Sequence, residues 1–258
     1  MMMHDSWKMI SSAAAGPRSP VLLLHTLGAS AATWAPLLAE PSGDRRVAAI
    51  DLPGHGARAE EAFTVDAALS DAAHAMDAIG PGPVHVVGSG LGSCIALRLA
   101  TRYPDEVRSV VVASFAPTEA EAADTRMAAT SRALQETTMA AFGADYLAAT
   151  LLSKDPLVAP AMSTALQDIR PESFLSALRA ALLWSPDEED IWPMPVLLAR
   201  GEGDRGVTAS RALAFGHRIG ARYVELNDVG HLAYLEDPRG FWGVVSAFIS
   251  HVEASCAL

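Results

Sequence analysis

Six short runs of β-branched or aliphatic residues recur between helical stretches: Val21 to Leu24, Arg46 to Ile50, Val84 to Val87, Val110 to Ser114, Val196 to Ala199 and Tyr223 to Leu226. No other feature of the chain constrains its fold as much. Strands that alternate with helices build an α/β architecture, a mostly parallel sheet with helices on both faces. The near-continuous apolarity of the runs suits strands covered on both sides. Helices are expected over Ala31 to Ala39, Thr64 to Ala78, Leu91 to Arg102, Ser210 to Ile219 and Pro238 to Val252. Ser30 stands at a capping position for the first, and Pro104 follows soon after the third.

Between Phe115 and Ile191 the strand signals stop and an Ala-rich, Met-containing helical pattern takes over. Helices are expected over Glu119 to Thr137, Ala144 to Leu152, Val158 to Leu166 and Pro171 to Trp184, the last with proline in its first turn. The pattern divides the chain into a core, 1–115 and 192–258, and an inserted helical lid, 116–191. Met127, Met139, Phe142, Met162 and Trp184 are candidates to line a substrate pocket, and the simpler role for each is to pack lid against core.

A chain of 258 residues, half of them apolar, can bury a substantial core. Its net charge of -11 argues against a nucleic-acid partner, which would draw on clustered Lys and Arg. A small molecule is the expected partner. Cys94 and Cys256 form no close-spaced pair, so neither a disulfide framework nor a zinc site is expected, and a reducing compartment fits. Met1 to Ile10 contains Asp5 and Lys8, and no later run is long enough to span a membrane. The chain is therefore expected to be cytoplasmic, with no metal or cofactor: no P-loop, His-Glu-x-x-His helix or acidic calcium loop is present.

Val84 to Ser93 reads as a strand running through a tight turn of small residues, Gly88-Ser89-Gly90-Leu91-Gly92, into a helix. The setting is that of the G-x-S-x-G nucleophile elbow, but Gly90 stands at the nucleophile position. Leu24-His25-Thr26-Leu27-Gly28 follows the first of the six runs, and Asp51-Leu52-Pro53-Gly54-His55-Gly56 follows the second. Pro195 to Asp204 forms a strand and acidic loop, and Asp228-Val229-Gly230-His231-Leu232 follows the sixth run. In this order the segments resemble the α/β-hydrolase superfamily over nearly the whole chain, with most similarity to its enol-lactonase and small-esterase branch.

The resemblance implies an α/β-hydrolase fold with Gly90, Asp204 and His231 in the order nucleophile, acid, histidine. It implies that the N–H groups of Leu27 and Leu91 are oxyanion donors. Thr26 stands where the family usually has glycine, which brings its hydroxyl into consideration with Ser89 for substrate binding. The resemblance makes Asp51 and His55 parts of a structural turn; Glu202 and Asp187 are weaker rivals for the acid. Ser93 and Cys94 lie about 5 Å up the following helix and are not expected to reach a pocket.

An Asp-oriented histidine can exchange protons without a serine. Loss of a triad serine costs on the order of a millionfold and leaves roughly a thousandfold over water. That remainder suits an activated ester, lactone or diketone-like substrate, or lyase, isomerase or cyclisation chemistry. The absent side chain is also expected to leave room beneath His231 for a water or a substrate atom. Two alternatives stand beside this reading: a non-catalytic member of the fold that binds a small ligand, and an ordinary serine enzyme in which residue 90 has been exchanged. A dinucleotide site at Gly88 to Ser93 is disfavoured, because the third fingerprint position is serine and the next strand ends without an acidic residue.

Overall fold

The computed structural model describes residues 9–12, 16–152, 158–187 and 189–256. Six parallel strands, β2 (Val21–Leu24), β3 (Val47–Ile50), β4 (Val84–Ser89), β5 (Val107–Ala113), β6 (Val196–Gly201) and β7 (Arg222–Leu226), form the sheet with a short antiparallel edge, β1 (Met9–Ser11). The spatial order is β1-β3-β2-β4-β5-β6-β7. β2, β3, β4 and β6 are buried along their whole length, which is why their sequences lack alternation. β1 is the strand that sequence reading misses. Its three residues are only partly buried and too few to show a period, and pairing with the rim of β3 is what makes them a strand. Met1 to Lys8, most of the segment weighed as an N-terminal span, lies outside the described residues.

Helices α1 (Ala35–Leu38), α2 (Val65–Ile79) and α3 (Leu91–Arg102) follow β2, β3 and β4, and α8 (Ala209–Arg218), α9 (Ala233–Glu236) and α10 (Pro238–Cys256) complete the second half. Thr64 caps α2 and Thr208 caps α8, their hydroxyls accepting from Ala67 N–H (3.2 Å) and Arg211 N–H (3.4 Å). The first expected helix is split into a 3-10 turn, Ala31–Trp34, and the short α1. Ser30 does not cap it with its side chain. The free Ala31 N–H goes instead to the Asp51 carboxylate at 2.7 Å, which fixes the segment by a long-range bond invisible to local reading. Among the described residues no helix is long and apolar enough to cross a membrane.

Between β5 and β6 the chain inserts α4 (Ala120–Glu136), α5 (Met139–Thr150), α6 (Val158–Gln167) and α7 (Pro171–Leu183). α5 begins five residues before its expected start, because the Thr138 hydroxyl accepts the Ala141 N–H at 3.2 Å and starts a helix where Thr137-Thr138 reads as a break. These helices reach the loops at the carboxyl ends of the strands: a side chain on Gly28, just past β2, would meet Leu166 of α6 at 2.6 Å. In a parallel sheet the carboxyl ends share one rim, the usual location for a ligand site.

Candidate active site

The loop after β2 is held by a buried histidine. His25 Nδ1–H donates to Thr26 O at 2.8 Å, and Leu52 N–H donates to His25 Nε2 at 3.0 Å, so both ring nitrogens are committed in one tautomer. Burial lowers the His25 pKa to about 4 and keeps the ring neutral. Ala29 N–H also donates to Thr26 O, at 3.2 Å. Below this loop Asp51 accepts from Ala31 and from Ala57 N–H (2.9 Å), and Gly56, at φ +55°, lies against its carboxylate with no room for a Cβ. His55 Nδ1–H donates to Pro53 O at 2.9 Å. Burial and the neighbouring His25 drive the His55 pKa to about 3. These groups shape the loops and are outside the cavity described below.

At the end of β4 the chain turns sharply at Gly90, φ +51° and ψ −112°, and enters α3. A Cβ on Gly88 would strike the backbone of Gly92, and one on Gly92 would strike the Leu24 carbonyl, so the turn closes only with glycine at both places. Gly90 N–H donates to Ala113 O at 2.9 Å. Ser93 is occupied beneath the turn, its Oγ 2.8 Å from Gly88 O and accepting from Ala113 N–H at 3.0 Å. Cys94 is buried, and burial pushes its thiol up to about 12, so it carries no thiolate at neutral pH. Neither side chain belongs to the cavity lining.

Both oxygens of Asp204 lie 3.0 Å from His231 Nδ1. Asp204 Oδ1 also accepts from Gly206 N–H (2.8 Å) and Val207 N–H (3.0 Å). Burial raises the Asp204 carboxyl, but the hydrogen bond and charge of His231 and the two backbone donors outweigh it, and the net shift is downward. The carboxylate is thus ionised at neutral pH and holds Nδ1–H, leaving Nε2 for the cavity. Glu202 is exposed, its carboxylate accepting from Asp228 N–H at 3.4 Å, and Asp187 is exposed beyond α7; neither touches the imidazole.

His231 Nε2 points toward Gly90: a Cβ placed there would stand 3.8 Å from it. The room expected beneath the imidazole is partly taken by Thr26. The same Cβ would lie 3.3 Å from Thr26 Cβ and well inside van der Waals contact with Thr26 Oγ1. The threonine hydroxyl therefore fills the space that an elbow side chain would enter.

A cavity of about 60 Å³ opens at this point, large enough for roughly two waters before any side chain moves. Of the sequence-derived candidates it brings together Thr26, Leu27, Gly90, Leu91 and His231, with Asp204 behind the imidazole. Among the described residues, neither the Leu27 nor the Leu91 N–H donates to a backbone carbonyl. Ser89, Met127, Met139, Phe142, Met162 and Trp184 are outside the lining. Ser89 and Met162 are buried, Phe142 packs on Phe174 at 5.2 Å between ring centres, and Trp184 packs on Phe115 at 5.9 Å beneath the Arg98 guanidinium.

Sequence reasoning missed Ser114, Phe115, Thr118, Arg126, Tyr146 and Arg211, which do line the cavity. Ser114, at φ +51° just past β5, has a buried hydroxyl with no partner among the described residues. Arg211 donates to the carbonyls of Gly206 (3.1 Å), Ala116 (3.0 Å) and Pro117 (2.9 Å) and to Thr118 Oγ1 (2.9 Å), tying the β5 exit to the acid loop with neutral acceptors only. Arg126 is an exposed cation at the mouth. A non-glycine residue at positive φ directly after a strand carries no local signal; only the assembled sheet reveals Ser114. Among the described residues no group of three or more His, Cys, Asp or Glu side chains is disposed to hold a metal ion.

A parallel α/β sheet with a histidine–carboxylate pair facing a strand–turn–helix elbow defines the architecture of a hydrolase. The family description "alpha/beta hydrolase fold" matches residues 19–238, and the chain belongs to that family. It is similar to a pimeloyl-[acyl-carrier protein] methyl ester esterase from Neisseria meningitidis serogroup C, 30% identical over 248 residues, which cover 90% of this chain and 94% of the relative. Among solved structures it is similar to a thermophilic esterase from Thermogutta terrifontis (TM-score 0.80, 20% identity, 95% and 93% of the two chains). It is also similar to the enol-lactonase from Burkholderia xenovorans LB400 (TM-score 0.72, 23% identity, 95% and 96%).

Proposed function

We propose that this protein cleaves a small carbonyl-containing substrate, an ester or lactone ahead of a diketone, by proton transfer through His231 and without a serine nucleophile. The observation that carries the reading is the 3.0 Å contact of both Asp204 oxygens with His231 Nδ1, on an imidazole whose Nε2 faces the cavity. Asp204 orients the ring and stabilises the imidazolium, and His231 is the base and then the acid. The N–H groups of Leu27 and Leu91, free of backbone partners among the described residues, receive the developing oxyanion. The similarity to an esterase over nine-tenths of the chain favours hydrolysis over lyase, isomerase or cyclase chemistry.

In this reading residues 116–191 act as a lid over a core of 1–115 and 192–258. Thr26 contacts substrate from the floor. The acidic chain, with no spaced cysteine pair, fits a cytoplasmic enzyme. The test is a screen against p-nitrophenyl esters, methyl esters, lactones and β-diketones, with His231→Ala beside the natural chain. Turnover that falls by about a thousandfold or more in the variant supports the assignment; turnover unchanged by it overturns the assignment. Ligand affinity with no product across the panel would establish a binding protein instead.

A further inference from the structure

We propose that the Thr26 hydroxyl is the nucleophile of this enzyme, the attacking group having moved from the elbow to the facing loop. The inference rests on the hydrolase reading of His231 and Asp204. Its own basis is the exchange of side chains across the cavity. Gly90 has no atom to attack with, and Thr26 Oγ1 stands in the space that a residue-90 side chain would enter, on the side of the turn faced by His231 Nε2. Thr26 is buried, yet among the described residues its hydroxyl has no hydrogen-bond partner, while its carbonyl is held by His25 and Ala29. The backbone is thereby fixed and the hydroxyl left available. Ser89, Ser93 and Cys94 are each outside the lining, and of the hydroxyl residues that line the cavity, Thr26, Ser114, Thr118 and Tyr146, Thr26 is the one that a Gly90 Cβ would meet beside His231 Nε2.

In the step, His231 Nε2 takes the Thr26 Oγ1 proton as Oγ1 bonds to the substrate carbonyl carbon, and the carbonyl oxygen becomes an oxyanion at Leu27 and Leu91 N–H. Collapse breaks the ester C–O bond, and the alcohol leaves with the proton held by His231. Water then gives a proton to His231 and attacks the acyl-threonine. The carboxylic acid departs and Thr26 Oγ1 recovers its proton. No oxidant or co-reactant beyond water is needed.

The experiment treats the full chain with a fluorophosphonate and with p-nitrophenyl acetate, reads intact mass and maps any adduct, and measures turnover in Thr26→Val, Thr26→Ser and His231→Ala. An adduct on Thr26, absent in Thr26→Val and present in Thr26→Ser, with turnover in Thr26→Val down about a thousandfold or more, is the expected result. Thr26→Ser also shows that the loop tolerates exchange, should Thr26→Val fold poorly. An adduct on another residue, or no adduct on the natural chain, overturns the proposal. If His231→Ala abolishes turnover while Thr26→Val retains it, Thr26 is not the nucleophile but the His231 reading stands; if His231→Ala retains turnover, that reading fails first.

Discussion

A Cβ added to Gly90 would run into Thr26 Oγ1 and stop 3.8 Å from His231 Nε2. A side chain at residue 90 therefore requires the Thr26 hydroxyl to move. Placing serine at the elbow is the obvious attempt to form a triad, and the Thr26 hydroxyl stands in its way. Gly90→Ser places a side chain at φ +51°, a strain of about 1–3 kcal/mol, and adds the collision with Thr26. We expect a lowered Tm and no gain of esterase activity. The paired change Gly90→Ser with Thr26→Gly relieves the collision and is expected to form a fluorophosphonate adduct at residue 90. Equal activity in the single and paired variants would refute the steric coupling.

Asp204 fixes the tautomer of His231, so Asp204→Asn is expected to lower kcat by about ten-thousandfold while substrate affinity changes little. Steady-state kinetics checks this. A loss confined to KM would mean that Asp204 shapes the pocket without orienting the imidazole.

Charge at the cavity is one-sided: Arg126 and Arg211 line it, and among the described lining residues no carboxylate does. Arg211 is spent on carbonyls, whereas Arg126 is exposed at the mouth. Substrates bearing a carboxylate should therefore have the lower KM. Arg126→Ala is expected to raise KM several-fold for an anionic ester and leave a neutral ester of the same length unchanged, with the difference shrinking at high salt. A uniform change for both esters would sink the electrostatic account.

Three buried histidines make the fold acid-sensitive. Burial is the main cause in each case, and it lowers His25 to about 4, His55 to about 3 and His85 to about 4. Their unfolded value is about 6.5, so between about pH 6.5 and 4 the unfolded chain binds more protons and stability falls with falling pH. The slope should approach three protons per molecule in that window. Glu253 extends the loss at lower pH: its hydrogen bond to Arg45 holds it near 2, below its ordinary 4.5, so its contribution is full above about 4.5 and is lost as pH falls toward 2. Urea midpoints measured from pH 7.5 to 4 test the histidine window; a flat profile would contradict it.

The sheet was legible because strands covered on both faces are written as unbroken aliphatic runs, and β2 matches its run end to end. The elbow was legible because only glycine fits against Leu24 O at position 92, and α3 begins and ends where its sequence indicates. The pairing of His231 with Asp204 was implied by the resemblance of their two loops to those of the α/β-hydrolase superfamily. The upper wall of the cavity was not legible. Phe142 and Tyr146 lie one turn apart on α5 and both pack on Phe174, and their sequence does not say that of the two Tyr146 lines the cavity. Phe174 belongs to α7, which is distant in sequence. The approach of Thr26 to Gly90 was equally hidden, since residues 26 and 90 meet only when β2 and β4 pair.

The backbone of His231 is itself tethered: its N–H donates to the carbonyl of Thr150, the last residue of α5, at 3.4 Å, and Leu152 N–H donates to Glu236 at 3.0 Å, whose other carboxylate oxygen accepts from Leu232 N–H. Lifting the end of α5 would drag on the main chain that carries the imidazole. The end of α5 and the loop that carries His231 are thus fastened together as one piece.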